Sequence, residues 1–178
     1  MASALALTSC AAQATQPTTP SATPTTEAPK ILKPGAYTFE NTTGTKGTLQ
    51  IPGQPDAEIE NLRALAGSTP AVTYLTVHID NRAGTVGANM YGVSIFTPAG
   101  EELQYKNADD YIGSITPSGA PAAVYNQFIE AGNKHMAMAK PKAVKDFVLT
   151  GPAVPAEISA ITVYATGMSD PVDAVPAP

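Results

Sequence analysis

Apolar residues alternate with polar ones in short runs along most of this chain. Val72–Ile79 is the clearest run, with Leu75, Val77 and Ile79 on one face and Val72, Tyr74, Thr76 and His78 on the other. A two-residue period of this kind marks a strand with one buried side. Tyr37–Phe39 and Thr48–Ile51 flank the turn-rich stretch NTTGTKG (residues 41–47), which predicts a first hairpin. Met90–Phe96 places Tyr91, Val93 and Ile95 on one side. The turn Thr97-Pro98-Ala99-Gly100 joins it to Glu101–Tyr105, where Leu103 and Tyr105 face inward as a second hairpin. Val144–Leu149 and Ile158–Ala165 are two further strands, separated by Gly151-Pro152-Ala153-Val154-Pro155.

Three segments depart from this alternation. Asp56–Ala66 has helical spacing, with Ile59, Leu62 and Ala66 (or Leu65) on one face, Glu58 and Glu60 near the positive N-terminal end, and Gly67 as the stop. Asn107–Ile112 predicts a single helical turn. Pro121–Ala131 reads as an amphipathic helix opened by proline, with Val124, Tyr125, Phe128 and Ile129 on one side, and ended by Gly132-Asn133. Strands at short intervals with Gly/Pro punctuation, and no βαβ rhythm, predict a mainly β fold. The expected form is an antiparallel immunoglobulin-like β-sandwich with one or two short helices in its connections.

The first thirty residues have a different character. Cys10 is the chain's one cysteine, so no intramolecular disulfide forms and the fold must be held by its core. Before it lies the small and apolar run Ala2–Ser9. After it, residues 11–30 contain no Val, Ile, Leu, Met or aromatic side chain. They cannot bury enough apolar surface to offset the entropy of ordering, and their prolines favour an extended stalk. Leu7-Thr8-Ser9-Cys10 resembles a bacterial lipobox, in which cleavage precedes a cysteine that then carries lipid. Nine residues precede Cys10 and none is basic, so we read Met1 as lying inside the apolar region of a longer signal. The expected organisation is a signal remnant over 1–10 lipidated at Cys10, a disordered Thr/Pro/Ala-rich stalk over 11–30, a sandwich domain over 31–168, and a disordered tail over 169–178.

A second resemblance lies in the body of the chain. Tyr74–Tyr105 (YLTVHIDNRAGTVGANMYGVSIFTPAGEELQY) and Val144–Tyr164 (VKDFVLTGPAVPAEISAITVY) resemble the immunoglobulin-like domains of Gram-positive, especially actinobacterial, cell-surface lipoproteins. The likeness spans most of residues 70–165 and treats the helix over 121–133 as an insertion. It implies a sandwich fold and a place on the outer membrane face, and it brings no catalytic residues.

Charge and chemistry narrow the function classes. The net charge of −5 argues against nucleic acid, which requires a concentrated positive surface. Lys134, Lys140, Lys142 and Lys145 are the one basic cluster, and edge lysines account for it. No phosphate loop, metalloprotease helix, nucleophile elbow or paired Cys-x-x-Cys is present. Asp109-Asp110 with Asn107, and Asp80-Asn81, are candidates for Ca²⁺, but they fit caps and turns better. No pair of carboxylates for an envelope hydrolase can be singled out among Asp109, Asp110, Glu101 and Glu130, because nothing in the sequence fixes their separation. Tyr91, Tyr105, Tyr111 and Tyr125 could line a binding surface.

The sharper metal candidate is copper, from His78, Met90, His135, Met136 and Met138, joined by Met168, because imidazole and thioether suit Cu(I). His78 and Met90 have the spacing found in periplasmic cupredoxin-like copper chaperones, but Ile79 stands where those carry Met. The leading expectation is a non-enzymatic, extracytoplasmic binding domain, lipid-anchored to the cell membrane and without a cofactor. Its partner would be a protein or another envelope component. A copper-binding cupredoxin-like chaperone is the alternative.

Overall fold

A computed structural model describes residues 30–67, 69–165 and 171–178. The lipobox, Cys10, the stalk up to residue 29 and Met168 lie outside these residues. Nine strands and three helices follow one another: β1 (Gly35–Glu40), β2 (Lys46–Ile51), α1 (Ala57–Ala66), β3 (Thr73–Asp80), β4 (Gly92–Phe96), β5 (Glu102–Asn107), α2 (Ala108–Ile115), α3 (Ala122–Met136), β6 (Val144–Gly151), β7 (Ala160–Tyr164), β8 (Val172–Asp173) and β9 (Val175–Pro176). The fold is mainly antiparallel β with short helices in its connections, as the alternation predicts. Both expected hairpins form, β1 with β2 and β4 with β5.

The strands are hydrogen bonded in one continuous sheet, in the order β8-β7-β4-β5-β6-β3-β2-β1-β9, and do not separate into the two sheets of a sandwich. Two pairings cause this. β3 and β6 share a full-length antiparallel ladder from Thr73↔Gly151 to Asp80↔Val144. β5 then joins β6 through Lys106↔Thr150 and Asn107↔Leu149, linking the two halves of the sheet. The expected disordered tail is also corrected. Val172 and Asp173 pair with β7, while Val175 and Pro176 pair with β1. One short segment therefore bridges both edges and closes the sheet into a barrel-like ring. Its apolar residues are few, but Ala174 is buried and its N–H donates to Ile161 O at 2.9 Å. Tertiary hydrogen bonds order a stretch whose composition predicts coil.

Inward-facing residues of the longer strands fill the ring: Tyr37 and Phe39, Leu49 and Ile51, Leu75, Val77 and Ile79, Val93 and Ile95, Tyr105, Phe147 and Leu149, Ile161 and Val163. A second core lies on the outer face of β3 and β6, where Tyr74 and Val148 meet Ile59 and Leu62 of α1, Ile112 of α2 and Phe128 of α3. β3 and β6 are thus covered on both faces over part of their length, by the ring interior and by the helices.

The helices begin and end for identifiable reasons. Asp56 caps α1, its Oδ1 accepting from the N–H groups of Glu58 at 2.9 Å and Ile59 at 3.0 Å, and Gly67 ends it with φ of 82°. Asn107 caps α2. α3 runs through Gly132 and Asn133, where the sequence predicts a stop. Its last turn is held from outside: Asn107 Nδ2 donates to His135 O at 3.3 Å, and Lys145 Nζ donates to Lys134 O at 3.1 Å and also to Ala137 O. Among the described residues no helix is long and apolar enough to cross a membrane.

Candidate functional site

A cleft of about 550 Å³ opens on the outer side of β9, β1, β2 and β3. It forms there because α1–α3 cover only the other part of the outer sheet face. Strand register lines up Thr38, Thr48, His78 and Asp146 across four strands. Their inward neighbours Phe39, Leu49, Val77 and Phe147 belong to the core. The ionisable groups along the cleft are held by partners. Lys46 Nζ lies 3.2 Å from Glu40 Oε2, and His78 Nδ1 lies 2.7 Å from Asp146 Oδ1. Arg82 reaches Asp80 through Nε at 2.9 Å and Nη2 at 2.6 Å. The hydrogen bonds from Arg82 hold the Asp80 carboxyl well below the usual carboxylate range. The cleft floor is therefore hydroxyl-bearing and its rim carries charges that largely compensate one another.

A smaller cleft of about 210 Å³ borders β4 and β5, with Tyr91, Tyr164, Glu102 and Asp110 on its walls. Ser94 Oγ donates to Glu102 Oε1 at 2.6 Å, and this bond lowers the pKa of that carboxyl. Glu102 was not singled out by the sequence because it is an outward residue in an ordinary hairpin.

A third cluster sits where α1 begins and α3 ends. Carboxylate oxygens of Asp56 and Glu58 and a ring nitrogen of His135 lie within 4.8 Å of one another. His135 is 9 % exposed, and its Nε2 is buried, 3.5 Å from Glu58 Oε2, without a hydrogen-bond partner. Glu58 Oε2 also receives Lys134 Nζ at 2.8 Å. Burial lowers the proton affinity of His135. Asp56 and Glu58 oppose that shift, while Lys134 and Lys145 reinforce it. Asp109, on α2, has its own pKa raised by burial and by Asp110, with the charge of His135 acting in the opposite sense. Asp56 and Glu58 stand far from His135 in sequence, so no spacing motif announces the cluster.

The structure does not gather the copper candidates into one site. Met90 is fully buried inside the ring with Val77 and Ile79, whereas His78 is on the opposite face of β3, half exposed and bonded to Asp146. His135 lies under α1. Met136 ends α3, Met138 follows it, and both are exposed. The acidic pairs act as caps and turns: Asn107 Oδ1 accepts from Asp109 N at 3.4 Å, and Asp80 accepts from Arg82 N at 3.0 Å. Tyr105 is buried, Tyr91 and Tyr125 are exposed, and Tyr111 donates to Pro70 O at 3.0 Å. No protein-family model, curated protein or solved structure matches this chain.

Proposed function

We propose that this protein is a non-enzymatic binding domain of the cell envelope, held outside the cytoplasm by lipid on Cys10, which takes an envelope component into the cleft over β1–β3. The observation that carries the binding reading is the cleft itself. Thr38 and Thr48 supply hydroxyls, and Glu40, Lys46, Asp80 and Asp146 have partners of opposite or complementary character. Compensated charge favours recognition of an uncharged, hydroxyl- or amide-rich ligand over proton transfer or strong ion capture. The apolar-to-polar junction at Cys10 supports the location, and the proline-rich stretch after it supports a stalk that lifts the domain from a surface.

Cys10→Ala in a precursor carrying its complete signal tests the anchor: the protein should move from the membrane fraction to the soluble fraction. Unchanged membrane association would defeat it. Thr48→Arg, which fills the cleft from an outward position, tests the binding surface. Retention of the purified domain on isolated envelope material should fall while the unfolding midpoint stays near wild type. Equal retention would place binding elsewhere.

A further inference from the structure

A buried imidazole nitrogen with no partner is uncommon, because the desolvation of that atom goes uncompensated. His135 Nε2 is such an atom; it lies 3.5 Å from Glu58 Oε2, in a cluster that Asp56 completes. Their arrangement is ordered from both sides. Asp56 Oδ1 is engaged by the first N–H groups of α1, which fixes the carboxylate plane and leaves Oδ2 available. The partners on α3 and β6 fix the last turn that carries His135. Glu58 Oε2, the oxygen that faces His135 Nε2, is shared with the largely exposed Lys134. From these positions we propose that Asp56, Glu58 and His135 bind a divalent transition-metal ion of the Zn²⁺ class, joining the start of α1 to the end of α3.

The donor set selects the ion. One imidazole nitrogen and two carboxylate oxygens suit Zn²⁺ or Mn²⁺, whereas Cu(I) prefers sulfur, and Ca²⁺ wants six or more oxygens. Zn–N and Zn–O bonds of about 2.0–2.2 Å set tetrahedral donors about 3.4 Å apart. The 3.5 Å between His135 Nε2 and Glu58 Oε2 already matches that spacing. All three donors lie within 4.8 Å of one another, and the partly exposed Glu58 side chain can adjust its approach to the ion. The ion supplies what Nε2 lacks, an acceptor for its lone pair. Lys134 is largely exposed, so it can release Glu58 to solvent. The chain provides three ligands, leaving further coordination positions on the Glu58 and Lys134 side for water. The site is independent of the outer cleft and of the anchor, since no residue is shared.

The test is calorimetric titration of the chelator-stripped full chain with Zn²⁺, in a Cys10→Ser background that removes a competing thiolate. Saturation near one ion per chain is expected, together with a Zn²⁺-dependent rise in thermal midpoint. Glu58→Gln and His135→Gln should each weaken binding by at least about tenfold. Asp56→Asn should also weaken it while keeping the helix cap. His78→Ala should bind as wild type. If His135→Gln fails to fold, Glu58→Gln, at a partly exposed side chain, decides the matter alone. No saturable binding overturns the proposal, as does binding that survives Glu58→Gln or that is lost in His78→Ala.

Discussion

The Thr45 hydroxyl donates to Asn81 Oδ1 at 2.8 Å, a buried bond between the β1–β2 turn and the end of β3. The same Asn81 side chain donates through Nδ2 to Val86 O at 2.8 Å and Ala139 O at 3.1 Å. Its backbone N–H donates to Ala143 O at 2.9 Å, and its carbonyl accepts from Gly84 N at 3.1 Å and Lys142 N at 2.9 Å. One amide thus fastens three connections at one end of the ring. Asn81→Ala would leave a hydroxyl and two carbonyls buried without this partner. We expect a loss of about 2–4 kcal/mol in urea unfolding, with the m-value unchanged. A loss below about half a kcal/mol, the range of a surface change, would contradict the assignment.

Gly47 lies opposite Phe39 in the β1–β2 ladder, and the Phe39 ring occupies the space of its missing side chain. A Cβ built on Gly47 would stand 2.2 Å from Phe39 Cζ. Gly47→Ala should therefore force the ring out of its seat and cost about 1–3 kcal/mol despite adding one methyl group. In the Phe39→Leu background the same substitution should cost less. Additive losses would show that the two residues are not coupled.

Tyr105 is buried inside the ring, and its hydroxyl has no hydrogen-bond partner. Burial pushes its pKa up to about 12, from an ordinary value of 10.0. Tyr74 is raised too, first by burial and then by its bond to Glu60. The folded state holds these protons more tightly than the unfolded chain. Their contribution is complete below pH 10 and is lost as pH rises through the folded values. Alkaline unfolding should begin above pH 10, with delayed tyrosinate absorbance. Tyr105→Phe should match or exceed wild-type stability at neutral pH, because an unpaired hydroxyl is removed, and should flatten the alkaline loss. A marked destabilisation at neutral pH would mean that the hydroxyl has a partner after all.

Removing residues 171–178 takes away the segment that pairs with β7 and β1 together with the buried Ala174. The truncated chain should lose stability on the order of a few kcal/mol. It should also associate, because both strands then present unpaired backbone. Size-exclusion chromatography against concentration reads this out. A monomer of wild-type stability would refute the closing role.

The strands were legible because each buried face repeats every two residues. Leu75, Val77 and Ile79 point inward as their spacing requires. The start and stop of α1 were equally legible, because Asp56 and Gly67 act locally. Long-range partners were not. Nothing near Gly132 indicates that Asn107 and Lys145 will hold the helix beyond it. Nothing in Val172–Pro176 marks it as two strands, since its order comes from the edges it meets. The site was legible only in part. His135 stands out as one of two histidines, but the carboxylates it faces arrive from a helix more than seventy residues earlier. The sequence spacing of His78 and Met90 suggested proximity, whereas the pleat and the barrel wall put them on opposite sides.

The bridging of both edges by Val172–Pro176 has a temporal side. Each other strand is made earlier, and β1 must wait for a neighbour that emerges nearly a hundred and forty residues later. Until then the sheet is an open ribbon with two live edges. Growing ribosomal chains of this protein cannot complete the ring, so the last step of folding falls after nearly all of the domain has been synthesised. Such lateness keeps the chain from its compact state until nearly the whole domain has left the ribosome.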